Sequence, residues 1–247
     1  QRSHEGWDSF TEKVVVQLND THPAVAILEL LRILVDEEEM QWEKAWDIVR
    51  RTFAYTNHTL LPEALETWSE GLFAKVLPRH YDLVLEVNRR FLDQEIEKNA
   101  QEDAGRRHRM AIVADGQIRM AHLSVVGSHS VNGVAALHTK LLKERLLSEF
   151  AELYPDRFNN KTNGITPRRW LIGCNPELAK LVNSTIGSEW ITNASLLRGL
   201  EKQAEVASFR EDFRAIKNRN KQTLAHTVEH RFGLKINPDA LFDVQIK

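Results

Sequence analysis

The chain has 247 residues, 42% hydrophobic and 28% charged, a composition typical of a soluble globular protein with one large domain or two small ones. Its formal net charge of −2 gives no field for nucleic acid or for an anionic membrane, so neither is expected as a partner. The single cysteine, Cys174, excludes an internal disulfide and, since residues 1–12 contain no apolar signal segment, indicates a reducing, cytoplasmic location.

A β-strand followed by a helix is predicted near the start of the chain. Residues 14–18 form an apolar, β-branched run typical of a buried parallel strand, and Pro23 is expected at the first position of the next helix. Ligands of open α/β sheets bind at the carboxyl ends of strands, where Asp20, Thr21 and His22 would lie. The alternative is that Asp20 or Thr21 caps the helix, and these residues alone favour the cap.

A dense polar cluster around His58 follows a second predicted helix at residues 41–54. Polar side chains between apolar flanks form either a satisfied internal network or a site for a polar ligand. His58 is therefore a candidate proton shuttle, a ligand donor or a core histidine. The core role is the commonest of the three, because a buried neutral imidazole needs only two partners.

The middle of the chain is predicted to be largely helical. Residues 78–103 carry an amphipathic apolar stripe, and residues 135–150 are also helical. Asp115-Gly116 is the strongest hairpin signal in the chain. The small residues at 124–134 allow a close backbone approach, but their glycine spacing matches neither a dinucleotide fingerprint nor a Walker loop.

The stretch at residues 160–170 combines a turn with a helix start. Asn163-Gly164 predicts the turn, while Thr166 is expected to cap a helix that has Pro167 at its first position. Arg168 and Arg169 then oppose the helix dipole, so an anionic group or a packed partner surface is expected nearby. The alternative is a capped surface helix with two solvated arginines.

The last part of the chain is predicted to be helical up to a final strand. Asn175-Pro176 opens one helix, which ends at Gly187, and helices at 194–205 and 208–231 follow. Residues 242–247 alternate like a strand that has no successor, so the sequence is interpreted as a piece truncated at both ends. No metal-ligand spacing is visible in the sequence, so no metal is predicted.

Several blocks in this order resemble the α-glucan phosphorylases, the family of glycogen, starch and maltodextrin phosphorylases. The matching blocks are QLNDTHP (17–23), AYTNHT (54–59), PEALE (62–66), LPRH (77–80), MAHL (120–123), HSVNGV (129–134), NKTNGITPRRW (160–170) and residues 235–247. The resemblance implies an internal fragment of a helix-rich α/β enzyme with two Rossmann-like domains in the GT-B arrangement. Residues 1–163 would be the C-terminal part of its N-terminal domain. Residues 164–247 would begin the mainly helical, cofactor-carrying domain.

The activity implied by the resemblance is transfer of the terminal α-1,4-linked glucose of a glucan to orthophosphate, giving glucose 1-phosphate. Pyridoxal phosphate would be tethered to a lysine beyond residue 247, and its phosphate group would donate and accept the proton. The intact enzyme is expected to be a homodimer, and the fragment alone is expected to be inactive. The alternatives are a non-catalytic carbohydrate-binding relative of the same fold and, less favoured, a sugar-nucleotide transferase.

The resemblance also implies which residues contact the glucosyl unit: His58, Asn163, Asp20, His22, Glu66 and Val134. His58 and Asn163 would hydrogen-bond the 6-hydroxyl. Asp20 and His22, with Glu66, would line the pocket beside the anomeric carbon, and Val134 would pack near the sugar. Trp170 would lie near the cofactor. No complete catalytic set is expected in this chain, and Arg168 and Arg169 are given no catalytic role.

Overall fold

The computed structural model describes residues 7–96 and 104–244, and the chain divides into two compact units, Gln1–Asn163 and Gly164–Lys247. The first unit contains a parallel sheet, and helices dominate both units. The prediction of a helix-rich α/β chain is therefore confirmed. Within the described ranges, no helix is both long and apolar enough to cross a lipid bilayer.

The described residues of the first unit form seven strands: β1 Val16–Asn19, β2 Phe53–Thr56, β3 Thr67–Ser69, β4 Val113–Ala114, β5 Gln117–Arg119, β6 Ser130–Gly133 and β7 Phe158–Asn160. Four of them form a fully parallel sheet in the order β1-β2-β6-β7. The other three form a small antiparallel sheet in the order β3-β5-β4. The three strands of the small sheet thus lie between β2 and β6 in sequence, although β2 and β6 pair directly with each other.

Nine α-helices of the first unit are described: α1 Phe10–Lys13, α2 Val25–Arg32, α3 Trp42–Thr52, α4 Glu70–Val76, α5 Pro78–Phe91, α6 Ala104–Met110, α7 Met120–Val126, α8 Ala136–Leu141 and α9 Ser148–Leu153. Wider π-type turns extend three of them: Ile33–Glu37 after α2, Leu92–Ile96 after α5 and Leu142–Leu146 after α8. A 3₁₀ turn lies at Pro62–Ala64 and another at Trp7–Ser9.

The core of this unit surrounds strand β2. Phe53 and Tyr55 are buried, as is Leu18 on the neighbouring strand, where it pairs in register with Tyr55. A parallel strand covered on both faces must be apolar along its length, which explains the run at residues 53–55. Strand β1 lies at the edge of the sheet, and only its Leu18 is buried, so the prediction of a buried strand at residues 14–18 is wrong in that respect. The apolar faces of α2, α3 and α5 pack on the same core. Because all four strands run parallel, their carboxyl ends lie at the same edge of the sheet.

Several predicted helix boundaries differ from the structure. The helix expected at residues 41–54 ends at Thr52, because Phe53 and Ala54 belong to β2, and the helix expected at residues 135–150 is divided into α8, a π-type turn and α9. Helix α2 begins at Val25, and Pro23 lies in the preceding turn, where its carbonyl accepts the Ala26 N–H. The helix expected at residues 78–103 is regular only to Phe91 and continues as the π-type turn, while residues 97–103 lie outside the described ranges. The small-residue stretch at 124–134 is also partly helical, because α7 runs to Val126.

The predicted hairpin is confirmed at Asp115-Gly116. These residues have φ values of 55° and 72°, and they join β4 to β5. Two successive positive φ values give the tight turn whose twist matches that of paired strands, and aspartate and glycine tolerate this conformation better than most residues.

His122 on α7 is a partly buried residue whose imidazole supports this region. Its Nδ1 donates to the Ala111 carbonyl at 2.9 Å, and its ring meets Phe150 edge-on at 4.9 Å. Burial lowers the pKa of His122 from 6.5 to about 4, although the hydrogen bond to Ala111 opposes the shift. The folded chain therefore holds this imidazole neutral.

We expect this histidine to make stability depend on pH. Between pH 6.5 and pH 4 the unfolded chain binds a proton that the folded chain does not, so the free energy of unfolding falls as the pH falls. The loss across this window is about 3 kcal/mol. His122→Asn keeps a donor for Ala111 without titrating, so its pH profile should be flatter. Denaturant unfolding at several pH values measures both profiles, and parallel profiles would contradict the assignment.

The second unit is helical throughout its regular parts: a π-type turn at Arg168–Gly173, α10 Pro176–Ile186, 3₁₀ segments at Glu189–Ile191 and Ala194–Glu205, and α11 Ala207–Phe232. Asn175 caps α10 by accepting the Leu178 N–H at 3.3 Å, and Gly187, with φ 83°, ends it, as predicted. The buried centre of the unit consists of Ala179, Val182 and Trp190.

Two predictions in this unit are wrong. The Thr166 hydroxyl has no partner among the described residues and does not cap the following turn, although the Thr166 carbonyl accepts the Trp170 N–H at 3.1 Å. Residues 242–244 form no strand, and residues 245–247 lie outside the described ranges. A strand needs a partner for its backbone groups, and the described part of this unit contains no other strand.

Candidate functional site

Polar side chains line the carboxyl edge of the parallel sheet. Gln17 donates to the Thr56 hydroxyl at 2.9 Å, and that hydroxyl donates to Oδ1 of Asn132 at 2.8 Å. The Asn132 amide in turn donates to the Gly133 carbonyl at 2.9 Å. These bonds connect β1, β2 and β6 side by side. The edge where ligands of open α/β sheets bind is therefore held in one arrangement by its own side chains.

Glu66 organises the loop that follows β1. Its Oε2 accepts from the Thr21 hydroxyl at 2.8 Å and lies 3.4 Å from Nδ1 of His22, while its Oε1 accepts from the Trp68 indole at 3.0 Å. Asp20 accepts the Thr21 N–H at 2.7 Å. The structure thus brings Asp20, His22 and Glu66 together.

The favoured interpretation of Asp20 or Thr21 as a helix cap is wrong. The residue before α2 is Ala24, and no side chain caps that helix. The Thr21 hydroxyl donates to Glu66 instead, and a hydrogen bond to an ionised carboxylate is stronger than one between neutral groups.

Asp20 also has an unusual backbone conformation. Its φ is 65°, a left-handed value that is uncommon for residues with a side chain, although aspartate tolerates it better than most. Such conformations persist where the surroundings fix them, and they concentrate at functional sites. The strain lies directly after β1, at the edge described above.

His58 follows β2 and is exposed, so the core interpretation of this histidine is wrong. Its Nε2 lies 2.6 Å from Oδ1 of Asn19 at the end of β1. Because an amide oxygen only accepts, Nε2 carries the proton, and Nδ1 keeps a lone pair. His58 is thereby oriented by a neighbouring strand and presents an acceptor to a hydroxyl group.

Asn163 is fixed to the same edge through its backbone. Its N–H donates to the Val134 carbonyl at 2.9 Å, and the Lys161 N–H donates to the Gly133 carbonyl at 3.1 Å. The Asn163 side chain is exposed. Val134 and Asn163 are therefore neighbours, and they belong to the loops that follow β6 and β7.

Comparison with known proteins assigns the chain to a family. The family described as carbohydrate phosphorylase matches residues 1–247. The chain belongs to the carbohydrate phosphorylases.

Named relatives in this family are glycogen phosphorylases. The chain is 50% identical over 243 residues to the glycogen phosphorylase of Synechocystis, 48% over 244 residues to the bovine muscle form, and 47% over 249 residues to that of Chlamydia trachomatis. These alignments cover 97%, 98% and 100% of this chain but only 28%, 29% and 30% of the relatives. The chain thus spans less than a third of the length of each of these three phosphorylases.

The remaining candidate residues lie in the second unit. Trp170 is 58% exposed. The Arg168 guanidinium donates to the Ile191 carbonyl at 3.2 Å, so its partner in the structure is a backbone carbonyl of the same unit. Arg169 is exposed. Across residues 7–96 and 104–244, no group of three or more His, Cys, Asp or Glu side chains could hold a metal ion.

The structure adds residues that sequence reasoning did not single out as members of the site: Asn19, Thr56, Asn132, His138 and Asn160. Four of them are amides or hydroxyls at the last or penultimate positions of parallel strands. These four residues could have been found from the sequence, because polar residues that directly follow an apolar strand lie at the carboxyl edge of the sheet. His138 carries no such signal, since it lies within a helix.

Proposed function

We propose that the full-length protein is an α-1,4-glucan phosphorylase, which transfers the terminal glucose of a glucan to orthophosphate and releases glucose 1-phosphate. The observation that carries the proposal is the set of hydroxyl-binding groups at the carboxyl edge of the sheet, in a chain 47–50% identical to named glycogen phosphorylases. This chain supplies part of the glucosyl pocket, and the remainder comes from the rest of the protein.

Within the pocket, His58 and Asn163 bind the 6-hydroxyl of the glucosyl unit. The lone pair on Nδ1 of His58 accepts the hydroxyl proton, and the Asn163 amide donates to the hydroxyl oxygen. A site of this kind discriminates strongly against a sugar that lacks the hydroxyl, because the protein groups would then be left unpaired.

The second group lines the pocket beside the anomeric carbon. Glu66 holds Thr21 at 2.8 Å and His22 at 3.4 Å, so the loop after β1 keeps its position when the ligand is absent. Asp20 and His22 face the sugar from this loop. Val134 provides an apolar surface against the ring.

Pyridoxal phosphate is the cofactor that we propose for the full-length protein, where its phosphate group supplies acid–base chemistry toward orthophosphate. The fit within this chain is limited to Trp170, whose largely exposed indole suits contact with a planar ring. No lysine of this chain is assigned to the cofactor.

The two compact units correspond, in this proposal, to parts of the two Rossmann-like domains of a GT-B enzyme. The division between Asn163 and Gly164 coincides with the predicted turn. Residues 1–163 end the N-terminal domain, and residues 164–247 begin the cofactor-carrying domain. We further propose that the protein is a cytoplasmic homodimer.

The test is incubation of the purified full-length protein with pyridoxal phosphate, maltoheptaose and orthophosphate. Glucose 1-phosphate should accumulate only when orthophosphate is present, and bound cofactor should be visible by absorbance. Maltoheptaose binding without product would favour the non-catalytic carbohydrate-binding alternative. Absence of both binding and product would refute the phosphorylase assignment for this protein.

A further inference from the structure

One imidazole connects two of the loops at the candidate pocket. Nδ1 of His138, on α8, accepts the Val134 N–H at 3.1 Å. The Val134 carbonyl accepts the Asn163 N–H at 2.9 Å. His138 is therefore linked through a single residue to the backbone of Asn163.

The next residue of α8 binds the same two loops. The Thr139 hydroxyl lies 2.9 Å from Oδ1 of Asn160 and 2.9 Å from the Ala135 carbonyl. Helix α8 also packs closely on Gly133. A Cβ at that glycine would lie 2.7 Å from Nδ1 of His138 and would collide with the Thr139 hydroxyl. Only glycine at 133 therefore allows this approach.

The hydrogen bond from Val134 fixes the protonation of His138. A backbone N–H only donates, so Nδ1 must be unprotonated and the proton resides on Nε2. Nε2 is buried, with no partner among the described residues. Burial lowers the pKa of His138. The neutral form, which can accept from Val134, is the form that this environment favours.

We propose that His138 is a positioning residue, which acts through Val134 to hold Asn163 at the glucosyl pocket. The inference rests on the proposed function, because it assigns the 6-hydroxyl to Asn163. His138 does not touch the sugar in this proposal. Its contribution is the acceptor at Nδ1.

Two substitutions of similar shape separate the acceptor from the packing of the side chain. His138→Asn places an amide oxygen near the position of Nδ1, whereas His138→Leu has no acceptor. In the full-length protein, selectivity is the ratio of kcat/KM for glucose 1-phosphate to that for 6-deoxyglucose 1-phosphate in glucan elongation. We expect the Leu variant to lower this ratio about five-fold, the effect of one neutral hydrogen bond, and the Asn variant to keep it within about two-fold. Parental selectivity in the Leu variant, or an equal loss in both variants, would overturn the proposal.

Hydrogen exchange of the full-length protein provides a readout that does not need turnover. The Val134 and Asn163 amides should exchange at least about ten-fold faster in His138→Leu than in the parent and in His138→Asn. Equal protection in the Leu variant would overturn the positioning role even if the parent is active. If the exchange pattern is as expected but the parent makes no glucose 1-phosphate, the connection between the loops stands and the phosphorylase proposal fails.

Discussion

Replacing His58 with alanine in the full-length protein is expected to lower selectivity for the 6-hydroxyl by about 10- to 100-fold, the effect of about 1–3 kcal/mol for one desolvated hydrogen bond. His58 is oriented by Asn19 at 2.6 Å, so its acceptor is already directed before the sugar binds. The measured quantity is the ratio of kcat/KM for glucose 1-phosphate to that for its 6-deoxy analogue. Most of the change should arise in the value for glucose 1-phosphate, since the analogue cannot use the lost bond.

A matched control is His129→Ala. His129 is exposed and precedes β6, so it lies at the amino end of the strand, away from the candidate edge. Its removal should leave the ratio within about two-fold, since surface substitutions away from a site have small effects. Asn163→Ala should act in the same direction as His58→Ala. If both variants discriminate like the parent, neither residue binds the 6-hydroxyl.

Trp190→Ala is expected to destabilise the second unit by about 3–5 kcal/mol, the usual cost of truncating a buried aromatic residue. Trp190 is 1% exposed and forms a small buried centre with Ala179 and Val182, against which partly buried apolar side chains pack. Its indole also donates to Oδ1 of Asn183 at 2.8 Å. With so small a centre, the neighbouring side chains can do little to fill the cavity.

Hydrogen exchange of the full-length protein measures the effect of this substitution separately in each region of the chain. Peptides from α10 and α11 should lose protection in Trp190→Ala, while peptides from the parallel sheet serve as the internal control. Trp190→Phe keeps a ring but loses the bond to Asn183, so its effect should be intermediate. Unchanged protection of α10 in the alanine variant would show that the second unit does not depend on this tryptophan.

Sequence reasoning predicted those elements whose cause is local. The hairpin at Asp115-Gly116 and the cap at Asn175 depend on neighbours within a few residues, and the structure contains both. The apolar run at residues 14–18 correctly predicted a parallel strand, which lies at Val16–Asn19, but only Leu18 of that strand is buried. The strand predicted at residues 242–247 was inferred from alternation, but alternation cannot supply a partner strand, and residues 242–244 form no strand. The π-type turns after α2, α5 and α8 have no signal in hydrophobic periodicity.

The candidate site was less accessible to such reasoning, because its contacts join distant parts of the chain. Thr21 was interpreted as a helix cap because its true acceptor, Glu66, lies 45 positions further along. The tautomer of His58 depends on Asn19, which is 39 positions earlier. Sequence patterns placed Asp20 and His22 at the carboxyl edge of a strand, but only the fold determines which side chains meet there.

The hydrogen bonds at the carboxyl edge join residues that are far apart in sequence, and this affects the order in which the chain folds. The bond between Thr56 and Asn132 spans 76 positions, and it exists only when β6 has paired with β2. Closing so long a segment is opposed by chain entropy, so this edge should form late, after α2 and α3 have joined the first strands. A ligand bound at the edge would then stabilise contacts that are absent from the transition state. It would slow unfolding while leaving the folding rate nearly unchanged.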